Sequence, residues 1–242
     1  MSPKKFLGIK GEPETILAFS QREFRRRHLP QINYPLCSGL VDAWVLARQQ
    51  RCNFFVSLAD PPDDLLKFIL KRQSVNYYPL ISLKGDVILN ETDAQLLKQK
   101  YSTDDVEELI GQMKRSGAED IISFDLLDFF KKKNADVSGF AMVDDAFLNK
   151  VFPAAAKDAA YIQILVLRYF GKNAGGHARK SHRMGICRDG SGWHFFDPNS
   201  GYVHFLSLIK AREWFDAFWK ASSYSKLNSV PGTDLLSVYT LS

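Results

Sequence analysis

Residues 177–197 read HARKSHRMGICR-DGSG-WHFFD. The centre of this stretch, Asp189-Gly190-Ser191-Gly192, is turn chemistry: a short polar residue, then glycines that accept the backbone angles of a tight reversal. The flanks carry strand-forming residues, so a β-hairpin is predicted with strands over 177–188 and 193–196. Closing the hairpin about 189–192 sets Arg188 opposite Trp193 and Asp197 roughly opposite Met184. Alternation along the first strand then separates its two histidines: His177 and His182 are an odd number of residues apart and face opposite sides.

Outward from the hairpin, Ala160 to Tyr169 is rich in Ile, Val, Leu and aromatics and reads as a buried strand, followed by a loop over Gly171–Gly176. Tyr202 to Phe205 is a short fourth strand and Leu235 to Leu241 a last one. Between them Ser207 to Ser222 is amphipathic, with Leu208, Ala211, Trp214, Phe218 and Trp219 on or near one face.

The N-terminal half has a different period. Residues 1–35 are polar and basic and read as an irregular lead-in with room for one short helix. From Cys37 to Arg51, Leu40, Trp44 and Ala47 recur at helical spacing, and Pro35 marks the boundary. Further helices are predicted over 63–72, 91–101, 103–116, 119–132 and 144–157, the last interrupted at Pro153. Helices first and antiparallel strands after make an α+β layout. One domain over 1–242 is expected: lead-in to 35, mainly helical over 36–158, mainly antiparallel sheet over 159–242.

Composition sets bounds on function. At 242 residues, 45% apolar and 24% charged, the chain has an ordinary globular make-up and enough length for a real core. A net charge of +5 permits an acidic partner or an anionic membrane surface without demanding either. Arg25–Arg27 and Lys131–Lys133 are short basic runs with no RNA-binding or zinc-finger signature beside them, so no nucleic acid is expected. Cys37, Cys52 and Cys187 are too few and too far apart for a disulfide framework, which suits a reducing compartment. No apolar core follows Lys4 and Lys5, so a classical signal peptide is not expected. The longest apolar stretch, 159–170, is broken by Gln163 and Arg168 and is too short to span a bilayer. No cofactor or metal is implied.

Three motifs carry chemistry. Cys37, in Pro35-Leu36-Cys37-Ser38-Gly39, opens a predicted helix, where unpaired N–H groups and the positive dipole end favour a thiolate. Most lone cysteines are buried small hydrophobes, and only this position sets Cys37 apart. His177 follows Gly175 and Gly176, which let a substrate or another backbone come close. His182 lacks that glycine context, His194 reads as structural, and His28 and His204 have no supporting context. Asp197, in Asp197-Pro198-Asn199-Ser200-Gly201, ends a strand in what is also good Asx-turn sequence. By the hairpin register it lies some distance from His177. Cys37 and His177 are 140 residues apart, within the roughly 130–150 of papain-like thiol enzymes.

The three segments resemble those of the YopT-type cysteine peptidases, a papain-like family of secreted bacterial virulence effectors. Its members carry a Cys on an aromatic-containing helix, then a Gly-Gly-His-Ala strand, then an Asp-Pro-Asn-x-Gly turn. Cys37 with Trp44, Gly175–Ala178 and Asp197–Gly201 follow that order, while residues 53–159 have no residue-by-residue match. The resemblance implies a papain-like fold and a triad of Cys37, His177 and Asp197. It also implies a host protein substrate and action in the host cytoplasm after export without a classical signal. Asp197 owes its role to the resemblance. Only 36 residues precede Cys37, so N-terminal processing is not expected, and a net positive chain is a poor match for a polybasic substrate. An oxyanion donor is also required. The Cys37 N–H is one candidate, and the side-chain amides of Gln31, preferred, and Asn33 are others. The same triad would serve a transglutaminase or deamidase, and a papain-like scaffold without turnover would be a binding module.

Overall fold

The computed structural model describes residues 6–76, 130, 135–154, 160–173, 176–229 and 234–241. Its centre is the hairpin of β4 (Gly176–Asp189) and β5 (Gly192–Asp197), paired with Arg188 opposite Trp193, as the turn at 189–192 requires. With β1 (Thr15–Ala18), β2 (Ala135–Phe140), β3 (Tyr161–Asn173), β6 (Gly201–Phe205) and β7 (Leu236–Leu241) it forms a seven-stranded antiparallel sheet in the order β1-β6-β5-β4-β3-β7-β2.

Both faces of this sheet are covered, which is why β3 reads as a near-continuous apolar run. Leu165 and Leu167 of β3, Met184 and Ile186 of β4, and Trp193 and Phe195 of β5 belong to one core. That core is closed by Ala211, Trp214, Phe215 and Phe218 of helix α6 (Leu208–Ala221) and by Phe147 and Val151 of α5 (Asp145–Val151). Ile164 and Val166, Cys187, and Phe196 alternate to the other face. There they meet α2 (Cys37–Gln49), α3 (Phe54–Ala59) and α4 (Asp63–Asn76), while α1 (Gln21–His28) adds Phe24. Close approach is built in at two glycines. A Cβ at Gly185 would stand 2.7 Å from the buried indole of Trp44, and one at Gly39 would stand 2.0 Å from the carbonyl oxygen of Ile69. The first lets α2 lie on β4; the second lets α4 lie on α2.

The expected layout, helices in the N-terminal half and an antiparallel sheet in the C-terminal half, is observed. Two edge strands go beyond it. β1 lies in the segment read as an irregular lead-in, and β2 lies in the segment read as mainly helical. α5 stops at Val151, two residues before Pro153, and positions 155–157 of the helix expected over 144–157 lie outside the described residues. The helices expected over 91–101, 103–116 and 119–132 lie, apart from Phe130, outside the described residues.

Candidate active site

The β4–β5 ladder ends at Gly185–Phe196. Pro198 has no N–H to extend it, and its carbonyl accepts the N–H of Gln21 at 2.7 Å, drawing the chain away toward α1. Residues 176–184 of β4 therefore run on past the end of β5, and the N-terminus of α2 comes to that stretch.

Cys37 is the first residue of α2. Leu36 at the N-cap has no capping side chain, and two distant glutamines supply the missing acceptors. Gln73 of α4 accepts through Oε1 from the N–H of Ser38 (2.9 Å) and of Gly39 (3.2 Å). Gln21 of α1 accepts through Oε1 from the N–H of Leu36 at 2.7 Å. One turn into α2, the buried Asp42 pairs with Arg72 of α4 at 2.8 Å and with Arg183 of β4 at 2.9 Å. The helix that begins at Cys37 is thus tied by charge both to its neighbour and to the strand beneath it.

The buried thiol of Cys37 lies close enough to the ring of His182 and to the Arg183 N–H for both to act on its proton. His182 Nε2 stands 2.7 Å from Asp197 Oδ1. The hairpin register accounts for the pairing. Met184 would oppose Asp197, and His182 is two residues further along on the same face, a diagonal neighbour within side-chain reach. Asp197, fully buried, also accepts from the Asn199 N–H (3.0 Å), Ser200 Oγ (2.6 Å) and the Tyr224 hydroxyl (3.2 Å to Oδ2).

Burial alone would push the Cys37 thiol up. The hydrogen bond and charge of His182, with the N–H and guanidinium of Arg183, outweigh it and hold the thiol below its ordinary value. Burial would lower His182, but the charge and hydrogen bond of Asp197, joined by Cys37, raise it to about 10. Asp197 is pulled below the ordinary carboxyl value against its own burial, first by the His182 charge and then by its hydrogen bonds. These shifts together favour a thiolate–imidazolium pair braced by a carboxylate.

The histidine that meets Cys37 and Asp197 is therefore His182, not His177. The backbone of His177 pairs with Lys172 of β3, five residues or about 16 Å of strand away from His182. Of the upstream amides, Gln31 and Asn33 are exposed, whereas Gln21 is buried beside the start of α2. Gln21 donates through Nε2 to Asn199 Oδ1 at 2.5 Å, joining α1 to the turn that follows Asp197. His182 had a signal in the sequence, its shared face with residue 184. Gln21 and Gln73 had none.

Residues 150–237 match the Peptidase C58 family, described as Yersinia/Haemophilus virulence surface antigen. The match agrees with the resemblance to the YopT-type peptidases over the C-terminal part of the chain. The matched segment contains His182 and Asp197 and ends well short of Cys37 on the N-terminal side. No curated protein sequence matches the chain. Among solved structures, the Pseudomonas avirulence protein AvrPphB is similar at 14% identity and a TM-score of 0.49, over 92% of this chain and 96% of that one. PatoxP, a cysteine protease-like domain of the Photorhabdus asymbiotica toxin PaTox, is similar at 11% identity and a TM-score of 0.44. This chain is covered over 98% of its length and spans 55% of that one. Among the described residues no group of three or more potential ligands could hold a metal ion, and no helix is long and apolar enough to cross a membrane.

Proposed function

We propose that the chain is a single-domain cysteine peptidase, with Cys37 as nucleophile, His182 as acid–base and Asp197 as the group that orients and charges the histidine. The observation that carries this is the continuous contact from the Cys37 thiol through the His182 ring to the buried Asp197 carboxylate. In this reading the Cys37 thiolate attacks a peptide carbonyl carbon, and negative charge develops on the carbonyl oxygen. The Cys37 N–H at the helix start is one donor to that oxygen. Gln21, buried and already bonded to the Leu36 N–H, is better placed for the second than the exposed Gln31 and Asn33. The His182 imidazolium gives its proton to the leaving amine, and the neutral imidazole then takes one from the water that hydrolyses the thioester.

The family match supports a bacterial effector exported without a classical signal, acting on a host protein in the host cytoplasm. The test is labelling by an epoxysuccinyl thiol-protease inhibitor together with mass analysis of proteins from a host lysate. The native chain is expected to take up the label and to cut a lysate protein, and Cys37→Ala to do neither. Intact label uptake in Cys37→Ala would overturn the assignment. Conversion of a target glutamine to glutamate, or a crosslink, in place of fragments would move the same triad to deamidation or transglutamination.

A further inference from the structure

Tyr224 opens a short 3₁₀ turn (Tyr224–Lys226) just after α6. Its backbone is held where it stands. Ser222 caps α6, donating its N–H to the carbonyl of Phe218 and its hydroxyl to that of Trp219, and its Oγ then accepts the N–H of Tyr224 at 3.2 Å. One side of the phenol ring packs against Trp219 and Phe218, with centroids at 6.0 and 6.3 Å. It also lies nearly parallel to the His182 imidazole, 5.3 Å between centroids and 25° between planes. The hydroxyl accepts from Asn199 Nδ2 at 2.9 Å and donates to the Asp197 carboxylate, 3.2 Å from one oxygen and 3.3 Å from the other. Tyr224 is 5% exposed.

A buried tyrosine that only filled the core would need one partner for its hydroxyl. This one spends its ring on the histidine and its hydroxyl on the histidine's carboxylate. From these contacts we infer that Tyr224 is a positioning residue for the His182–Asp197 pair, an inference that rests on reading Cys37, His182 and Asp197 as the catalytic groups. The ring fixes the plane of the imidazole and keeps water off the Nε2–carboxylate hydrogen bond, so the attraction is not screened as it would be in the open. The hydroxyl, itself anchored by Asn199, fixes the carboxylate. Neither contact touches the thiol, so any effect on Cys37 must pass through His182.

The pH at which the Cys37 thiolate forms can be read without any peptide substrate, from the rate of alkylation by iodoacetamide. Cys52 is exposed, so the measurement uses a Cys52→Ser background, with Cys37→Ala as the zero. The reference protein is expected to switch on below the ordinary thiol range. In Tyr224→Leu the onset is expected to rise by about one pH unit or more, because a wetter Asp197 stabilises the imidazolium less. Tyr224→Phe keeps the ring and is expected to shift less, while losing severalfold in kcat with KM little changed. A core-filling role alone would lower Tm in both variants and leave the onset where it was. That result in folded protein, verified by circular dichroism, would overturn the inference. If the reference protein itself shows no low-pH thiolate, it is the triad reading that fails.

Discussion

The β4–β5 hairpin carries a histidine–aspartate pair near each end, and the two behave in opposite ways. Near the open end His182 lies 2.7 Å from Asp197 and is raised to about 10. At the turn His194 lies 3.1 Å from Asp189 and is lowered to about 4. Both rings are buried, so desolvation works against charge in each. The third group makes the difference. Asp197 receives only neutral donors besides His182 among the hydrogen bonds of the described residues, and the His182 ring also interacts with a thiol that can lose its proton. Asp189 is already paired with Arg48, whose Nη2 also stands 3.0 Å from His194 Nε2, and the imidazole of His204 stacks on His194 at 4.4 Å. A positive charge has taken the carboxylate, leaving the second imidazole neutral as a structural clamp bonded to Tyr202 and Ser191. A carboxylate neighbour does not by itself make a base; the charge that neighbour is still free to balance does.

The largest effect that would test this contrast is His182→Ala, which is expected to lower peptidase kcat/KM by about a thousandfold or more, measured on whichever protein the native chain cleaves. His194→Gln should leave chemistry largely in place and lower Tm instead. Next, Arg48→Met frees Asp189 to face His194 alone. The His194 value, followed by NMR of the ring protons, is expected to climb by about one unit or more toward the ordinary histidine value of about 6.5. No climb would mean that burial, and not Arg48, separates the two sites.

A smaller effect lies in the pH dependence of stability. In the window from about 6.5 down to about 4 the unfolded chain holds a proton on residue 194 that the folded chain does not, so stability is lost as pH falls through it. The His182 site should be nearly silent between about 6.5 and about 8.5. There the folded pair keeps one proton on His182, and the unfolded pair keeps one on the Cys37 thiol. Cys37→Ala removes that compensation. His182 then holds a proton in the folded state alone, and Tm is expected to decline as pH rises through the same window, where the native chain stays flat. The smallest effect expected is that of His177→Ala, a change in kcat/KM within about twofold, since its place on β4 is about 16 Å along the strand from His182. A loss as large as that of His182→Ala would reverse the assignment.

The hairpin arithmetic was a better guide to the histidine that meets Asp197 than the local motif. It correctly placed Arg188 opposite Trp193 and Asp197 near Met184, and its parity rule put His182, not His177, on the face of residue 184. The glycines before His177 drew attention to a different histidine because a motif describes neighbours in the chain, whereas Asp197 meets its partner across the sheet. Edge strands were hard to see for a related reason. Thr15–Ala18 is four residues long and Ala135–Phe140 contains Gly139, so neither shows strong alternation, and each is held mainly by its partner, β6 or β7.

By itself the sequence determined the α+β order, the helix that starts at Cys37 and the strands of the central hairpin, with Asp197 at the end of the second of them. These follow from short-range causes: periodicity, turn residues and helix termini. Only the tertiary structure decided which histidine joins them, that Gln21 and Gln73 close the start of α2, and that Tyr224 lies over the pair. The contacts link residues 15 positions apart (Gln21 to Leu36, His182 to Asp197), 35 (Ser38 to Gln73), 42 (His182 to Tyr224) and, for Cys37 and His182, 145. They are set by where β5 stops, how closely Gly39 and Gly185 let the helices approach, and how α6 ends, and no local pattern in the chain records such distances.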